Sequence, residues 1–431
     1  MAEPSVQQLF EQAVGCHQSG RLLEAERLCR QILQRQPGHG DALHMLGILA
    51  LQRGEPDVAL ELLRAASARM PTNAYTYFNL GDALGAKGLF DEAIAALRQA
   101  LALDPGMLAA YSKLGLALRM VGRLDDAMRV YQRAIAVHPQ AVECYCGLGN
   151  VLIKKGMLKE AADIYRQAIA RDANYMMAHR GLAKALELQG DIPAAAAAFE
   201  AARAVAADPA NHDFELGALG VGDTPPAPPP KFVSSLFDAY AENFDEHLRQ
   251  LHYMAPQLLF DAIRAVNPQQ PMDIIDLGCG TGICGELFRP MARRLGGVDL
   301  SPKIIAKARQ RGIYDELKVQ DITVALQESP GQFDLIVAAD VFVYVGDLGL
   351  VFQAATTALR PDGLLAFSIE SAETGDYVLR SSRRYAHSVN YIQRLASGCG
   401  FKEVSTQEAV LRTKNNLPLK RKIIVLRHVD G

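Results

Sequence analysis

Neither sign of charge prevails in this chain: 45 lysines and arginines face 48 aspartates and glutamates, a net charge of −3 over 431 residues. That balance leaves no basic footprint for nucleic acid and no acidic tail. Long apolar runs are missing too. Nothing approaches the roughly 18 consecutive apolar residues a membrane helix needs, and Met1 to Glu11 lacks a basic start followed by an apolar core. These absences predict a soluble, cytoplasmic protein with no nucleic acid and no membrane as partner. Seven cysteines, odd in number and scattered, make no disulfide framework. Cys144 and Cys146, two apart on a predicted helix, point in different directions, so no metal is expected and the thiols read as buried. The length exceeds what one ordinary core fills and predicts two to three domains.

What is present begins with repetition. Gly20, Gly54, Gly88, Gly122, Gly156 and Gly190 follow one another at steps of 34, as do Ala25, Ala59, Ala93, Ala127, Ala161 and Ala195; Pro37, Pro71, Pro105 and Pro139 keep the same step. Within Tyr77 to Pro105, one helix carries Leu80 and Gly81, the chain turns at Gly88, a second helix carries Ala93, Leu97 and Ala100, and Pro105 stops it. Small Gly81 and Ala93 allow close approach, while Leu80 and Leu97 fill the layer between repeats. Over residues 6 to 208 this resembles the tetratricopeptide repeat. Departures fall at the ends: Ala13 and Cys16 blur the first copy, and Ala173 and Ala207 stand where the stopping proline would be in the last two. The resemblance implies six helix pairs in an all-α superhelix whose concave groove holds a protein or peptide partner, lined by Tyr75, Phe78, Asp82, Arg119, Asn150 and Lys184. The alternative is a solenoid that only spaces or dimerises the rest. The lysine and asparagine arrangement that clamps a C-terminal carboxylate is not found.

Residues 1–221 are assigned to the solenoid, with Asp208 to Val221 as a closing helix. Residues 222–231, Gly-Asp-Thr-Pro-Pro-Ala-Pro-Pro-Pro-Lys, can neither continue a helix nor pair as a strand, and read as a stiff polyproline tether that keeps whatever the repeats bind close to the second domain, 232–431. That domain opens with Leu236, Tyr240, Phe244, Leu248 and Leu251 at helical spacing. Strands and helices then alternate: 273–277, 283–294, 295–299, 302–311, 317–319, 333–339, 351–359 and 364–369. A helix at 390–398 leads to a terminal hairpin of 402–412 and 420–427, turning at Asn415-Asn416-Leu417-Pro418. Alternation of this kind builds a parallel sheet with helices on both faces.

The rest is arranged around Asp276-Leu277-Gly278-Cys279-Gly280-Thr281-Gly282, at the end of the apolar strand starting at Met272. Alternate glycines carry no Cβ to hold a ligand away, so the backbone can approach one closely at the start of the following helix. Gly280, Gly282 and Gly285 also spell the G-x-G-x-x-G of a dinucleotide site, with Asp299 19 residues beyond Gly280. Asp276 two positions before the first glycine, and further strand-ending acids at Asp299 and Asp321, instead make the stretch resemble class I S-adenosylmethionine-dependent methyltransferases. The whole chain resembles a bacterial family of tetratricopeptide-containing predicted methyltransferases. The resemblance implies a Rossmann-like, seven-stranded α/β sheet with a terminal antiparallel strand, and S-adenosylmethionine as cofactor.

By that resemblance the cofactor lies on Gly278, Gly280 and Gly282. Asp276 receives its amino group directly or through water, Asp299 the ribose hydroxyls, and Leu300 the underside of the adenine; Asp321 holds the adenine amine, Ile322 packs on the ring, and Asp340 lies beside the methyl. Each aspartate taken alone is also ordinary turn chemistry after a strand. Phe237 to Asp245 is similar to the aromatic segment that folds over the cofactor in small-molecule methyltransferases, with Tyr240 touching it. His387 is the first candidate for a general base, Tyr344 and Glu370 the others. Arg383 and Arg384 are either anchors for an acidic substrate or solvated surface residues. No Asn-Pro-Pro-Tyr motif follows the fourth strand, which makes a nucleic-acid amine an unsuited acceptor. The function expected is methyl transfer to an unidentified acceptor recruited through the repeats. The alternatives are a small-molecule O- or C-methyltransferase with repeats for assembly, and a non-catalytic cofactor-binding scaffold.

Overall fold

The computed structural model describes residues 3–206, 210–229, 231–266, 271–414 and 417–429. The chain divides into two compact units, Met1–Ala206 and Ala207–Gly431.

The first unit is six helix pairs: α1 Val6–Gln18 and α2 Leu22–Arg35, α3 Gly40–Gln52 and α4 Pro56–Arg69, α5 Ala74–Ala86 and α6 Phe90–Leu103, α7 Leu108–Met120 and α8 Leu124–Val137, α9 Val142–Lys154 and α10 Leu158–Arg171, α11 Met176–Gln189 and α12 Ile192–Ala204. The 34-residue glycines all have positive φ, from 74° to 85°, the left-handed turn that ends a helix without a Cβ penalty. A second set works by space: a Cβ added at Gly47 or Gly81 would lie 2.6 Å from Leu63 or Leu97, and one at Gly115 or Gly149 would enter the ring of Tyr131 or Tyr165. Leu97 therefore sits directly on Gly81 within its own pair, and is 1% exposed. The residues before the prolines, Gln36, Met70, Asp104 and His138, leave the helical region as proline demands. Asp172 does the same without a proline after it, at φ −141° and ψ 100°. Ala207 lies outside the described residues. Of the expected groove residues, Tyr75 is 63% exposed, Asp82 pairs with Lys113, Asn150 accepts from the Tyr165 hydroxyl at 3.0 Å, and Lys184 pairs with Glu187 at 3.1 Å.

The second unit starts earlier than the sequence places it. Helix α13, Ala210–Ala218, was expected to close the solenoid, but its Phe214 packs 4.8 Å from Phe232 and 6.3 Å from Tyr385 between ring centroids. The proline segment is likewise not a free tether: Pro226 O accepts N–H bonds from Gly346 at 3.0 Å and Asp347 at 2.8 Å, and Pro225 O accepts from the Tyr385 hydroxyl at 2.9 Å. Proline has lost its own donor but keeps a carbonyl, so such a segment can still be pinned by a partner's donors.

Helices α14 Phe232–Tyr240, α15 Phe244–Gln250 and α16 Ala255–Val266 precede the sheet. It is built from β1 Met272–Leu277, α17 Ile283–Phe288, β2 Ala292–Asp299, α18 Pro302–Arg311, β3 Glu316–Val319, α19 Ile322–Gln327, β4 Phe333–Ala338, α20 Gly349–Ala358 and β5 Leu359–Ile369. A small hairpin, β6 Tyr377–Leu379 and β7 Tyr385–His387, comes before α21 Val389–Gly398, β8 Phe401–Lys414 and β9 Leu417–His428. Strand order is β3-β2-β1-β4-β5-β9-β8, parallel as far as β5 and antiparallel in the terminal hairpin. Asn415 and Asn416, expected to turn that hairpin, lie outside the described residues. The expected helix 283–294 is shorter, because Pro290 cannot donate to the helix and the chain enters β2 at Ala292. Alternation sends Ile275, Leu277, Ile336, Leu365 and Phe367 to one face of the sheet and Ile274, Leu335, Val337, Leu364 and Ala366 to the other, both covered by helices. Among the described residues, no helix is long and apolar enough to cross a membrane.

Candidate active site

A cavity of about 940 Å³ opens at the carboxyl ends of β1, β2 and β4, near the upper end of the range for ligand pockets. Its wall includes Gly278 to Thr281, Asp299, Leu300, Asp321 and Ile322. Gly278, Gly280 and Gly282 have φ of 58°, 57° and 97°, a turn that side-chain-bearing residues adopt only under strain. Gly280 faces the cavity opposite Phe244, 3.5 Å from where a Cβ would be. Gly282 lies behind, at the start of α17, where a Cβ would meet Arg311 and Tyr314 at 3.1 Å.

Asp299 is placed by backbone donors: Gly280 N–H to Oδ2 at 3.2 Å and Ser301 N–H to Oδ1 at 2.9 Å. Burial raises its pKa, the N–H bonds working against that. Asp321 caps α19, its Oδ1 accepting from Thr323 N at 2.8 Å and Val324 N at 3.3 Å. Asp276 is not on the cavity wall. It is buried beneath the glycine turn, with Oδ2 accepting from the Tyr314 hydroxyl at 2.7 Å and Oδ1 without a hydrogen-bond partner. Burial pushes its pKa up to about 7, the charge of Asp299 adding to the shift. Of the two contacts expected of Asp276, direct or through water, the direct one is replaced by a position one layer back.

Helices α14 and α15 cover the cavity, with Phe232, Leu236, Phe237, Tyr240 and Phe244 on its wall. No residue of α14 is fully buried, because its apolar side looks into the cavity. Polar links hold the cover across the glycine turn and α18: Ser301 Oγ donates to Asp238 at 2.5 Å, Lys307 pairs with Glu242 at 3.0 Å, and Asp245 takes both the Thr281 hydroxyl and Arg311. Tyr240 is half exposed, stacked with His247 at 6.2 Å.

The cavity wall also holds Asp340, Tyr344, Glu370, Arg383, Arg384 and Arg421. Asp340 has φ 60° and its N–H donates to Ser368 Oγ at 2.8 Å, while its Oδ1 lies 2.7 Å from Arg384 Nη2 and 3.3 Å from Arg421 Nη1. Glu370 is held by Arg380 and Arg421, each at 3.0 Å. Tyr344 accepts from Arg384 Nη1 at 3.2 Å and meets the Phe237 ring edge-on at 5.3 Å. The arginines are not solvated surface residues: Arg383 is paired with Glu215 of α13 at 2.5 Å, and Arg384 is 12% exposed.

His387 does not serve as expected. It is fully buried in β7, off the cavity wall, and its Nε2 lies 2.9 Å from the carbonyls of both Val345 and Gly346. Those acceptors require the proton on Nε2, and burial lowers its pKa to about 4. It is a neutral structural donor, not a base. Arg421 was missed in the sequence because Lys420-Arg421-Lys422 reads as a charged edge, and no periodic signal marks it, since residues of both parities that follow it, Ile423 to Leu426, are buried. Among the described residues, no group of three or more potential metal ligands occurs.

Residues 244–402 match a family model described as a methyltransferase domain, and residues 17–77, 78–142 and 146–212 match tetratricopeptide-repeat models. The chain is 30% identical over 142 residues to a malonyl-[acyl-carrier protein] O-methyltransferase of Acetivibrio thermocellus, covering 32% of this chain and 49% of the relative. It is 31% identical over 126 residues to a ubiquinone biosynthesis O-methyltransferase of Colwellia psychrerythraea, covering 28% and 51%. The chain thus spans about half the length of the curated relatives it matches. A solved 1,6-didemethyltoxoflavin-N1-methyltransferase of Burkholderia thailandensis, bound to 1,6-didemethyltoxoflavin and S-adenosylhomocysteine, aligns at 19% identity and a TM-score of 0.39, over 48% of this chain and 94% of that one. With both its helix pairs and its sheet accounted for in this way, the chain is a tetratricopeptide-repeat protein carrying a methyltransferase domain.

Proposed function

We propose that the second unit binds S-adenosylmethionine on the glycine turn and transfers its methyl group to an acceptor held in the same cavity, while the repeats recruit a protein partner. The observation that carries this reading is that the glycine turn, Asp299 and Ile322 line the same cavity as a set of aromatic rings and arginines.

The residues suit the cofactor. Asp299 keeps lone pairs beyond its two backbone donors for ribose hydroxyls. Leu300 and Ile322 offer apolar surface to a purine, and Asp321 retains Oδ2 beyond its helix cap. Buried Asp276, whose Oδ1 has no hydrogen-bond partner, supplies negative potential beneath the turn for an ammonium in its ionised form, which a bound cation would itself favour. When bound, the cofactor supplies a methyl on a positively charged sulfur, open to in-line displacement by a nucleophile.

This chain's own contribution is alignment and exclusion of water by α14 and α15. Tyr344, held by Arg384, is the side chain placed to take or relay an acceptor proton. Glu370 is committed to two arginines and serves to hold them. The curated relatives are named O-methyltransferases, which supports oxygen as the acceptor atom. The enclosed, aromatic cover favours a small or slender acceptor; on that second reading the repeats serve assembly.

Calorimetric titration with S-adenosylmethionine, S-adenosylhomocysteine and NAD tests the reading. Micromolar binding of the first two and none of NAD is expected, followed by transfer of labelled methyl to a component of cell extract. Binding of NAD alone, or of nothing, overturns it.

A further inference from the structure

We propose that the repeats hold an acidic peptide segment bearing apolar side chains, laid across α7, α9 and α11. This rests on reading the repeats as the surface that recruits a protein partner. The first helices of successive pairs touch one another, α5 with α7, α7 with α9 and α9 with α11, and so form one continuous wall. Charge is sorted along that wall. Helices α1, α3 and α5 carry the carboxylates of Glu11, Asp41 and Asp82 and no lysine or arginine. Helices α7, α9 and α11 carry Lys113, Arg119, Lys154, Arg180 and Lys184 against Glu143 and Glu187. In a chain whose total charge is nearly balanced, this excess is local.

Two of the cations are committed, Lys113 to Asp82 and Lys184 to Glu187. Among the described residues, Arg119, Lys154 and Arg180 have no carboxylate partner. Around Arg119 the wall is built for an anion. Tyr131 and Tyr165 reach it from the second helices because glycine stands opposite them: a Cβ at Gly147 or Gly181 would enter their rings, at 2.4 Å and 2.1 Å. Burial raises the pKa of both hydroxyls and the charge of Arg119 works against that, which sets the guanidinium beside both. Tyr165 donates to Asn150 Oδ1 at 3.0 Å, leaving the Asn150 amide N–H groups as donors. A guanidinium and an amide grouped about the same phenol suit a carboxylate. The same three helices expose Leu116, Met120, Met177 and Leu188, apolar surface that an acid alone would leave uncovered. Packed helices lie about 8–10 Å apart, so three span about 20 Å, the reach of about six extended residues.

The test titrates the full chain, by calorimetry, with three end-blocked twelve-residue peptides that share the same four leucines and fill the other positions with glutamate, glutamine or lysine. At low salt the glutamate peptide is expected to bind at least about tenfold more tightly than the other two, the combined effect of a few exposed ion pairs, and to weaken as salt rises. Arg119→Gln combined with Arg180→Gln should remove most of that preference. Arg98→Gln combined with Arg133→Gln takes the same charge from the second helices α6 and α8 and should leave it intact. Equal binding of the three peptides, tighter binding of the lysine peptide, or an equal loss in the two double variants overturns the proposal. In each of those cases the repeats still bind peptide, and the recruiting reading stands. Binding of none of the three overturns the proposal and the recruiting reading together.

Discussion

Two buried ionisable side chains pull the pH dependence of stability in opposite directions. Asp276 has a folded pKa of about 7 against an ordinary 3.8. Its contribution is therefore complete below about pH 4 and is lost as pH rises towards 7. His387, at about 4 against an ordinary 6.5, contributes above about pH 6.5 and loses that contribution as pH falls towards 4. Thermal unfolding across this range should show Asp276→Asn steepening the loss of stability in acid while leaving the protein at least as stable at neutral pH. His387→Gln should flatten the acid loss. An unchanged acid slope in Asp276→Asn would place the burial penalty elsewhere. At the cavity, Asp299→Ala should weaken S-adenosylhomocysteine binding by roughly 10- to 100-fold in calorimetry, the worth of hydrogen bonds to a charged acceptor. Retained affinity would remove Asp299 from the site. That Asp299 ends a strand beside a glycine turn was legible in the sequence. That Asp276 lies one layer back was not, since its neighbour Tyr314 is 38 residues away and only the packing of the sheet brings them together.

At the scale of elements, close approach of the paired helices depends on absent side chains. Alanine at Gly81 would put a Cβ 2.6 Å from Leu97 and should lower stability by about 1–3 kcal/mol through overpacking. Adding Leu97→Ala should recover part of that loss, because the new methyl then occupies space the leucine has vacated. Denaturant titration of the single and double variants measures the coupling, and strictly additive losses would show that the two residues do not share the contact. The repeat helices could be read from sequence because period and capping glycines recur six times. The β6–β7 hairpin could not. Strands of three residues carry too little pattern, and this hairpin decides where Arg383, Arg384 and His387 point.

At the scale of the whole molecule, the second unit extends back over α13 and the proline segment. A fragment of residues 207–431 should unfold cooperatively and resist proteolysis. One of residues 232–431, cut where composition changes, should be less stable, having lost the cover over Tyr385 and the carboxylate paired with Arg383. In the full chain, Glu215→Ala should lower stability by about 1–3 kcal/mol, because it takes a charge-assisted hydrogen-bonding partner away from a mostly buried guanidinium. Equal stability of the two fragments would show that residues 207–231 only rest on the surface.

The sequence by itself determined the repeat architecture, the alternating sheet with its terminal hairpin, and the glycine turn with Asp299, Asp321 and Ile322. Each of these is a local pattern of period, turn chemistry or strand end, written within a few tens of residues. Only the tertiary structure decided that His387 is a buried neutral donor, that Glu370 and Asp340 are taken by arginines, that Arg421 of the last strand reaches the cavity, and that the prolines form part of its wall. Those facts depend on burial and on partners brought from distant strands. A side chain's solvent access and counter-charge, which set its pKa and its availability to a ligand, are properties of the packed fold and not of its neighbours in the chain.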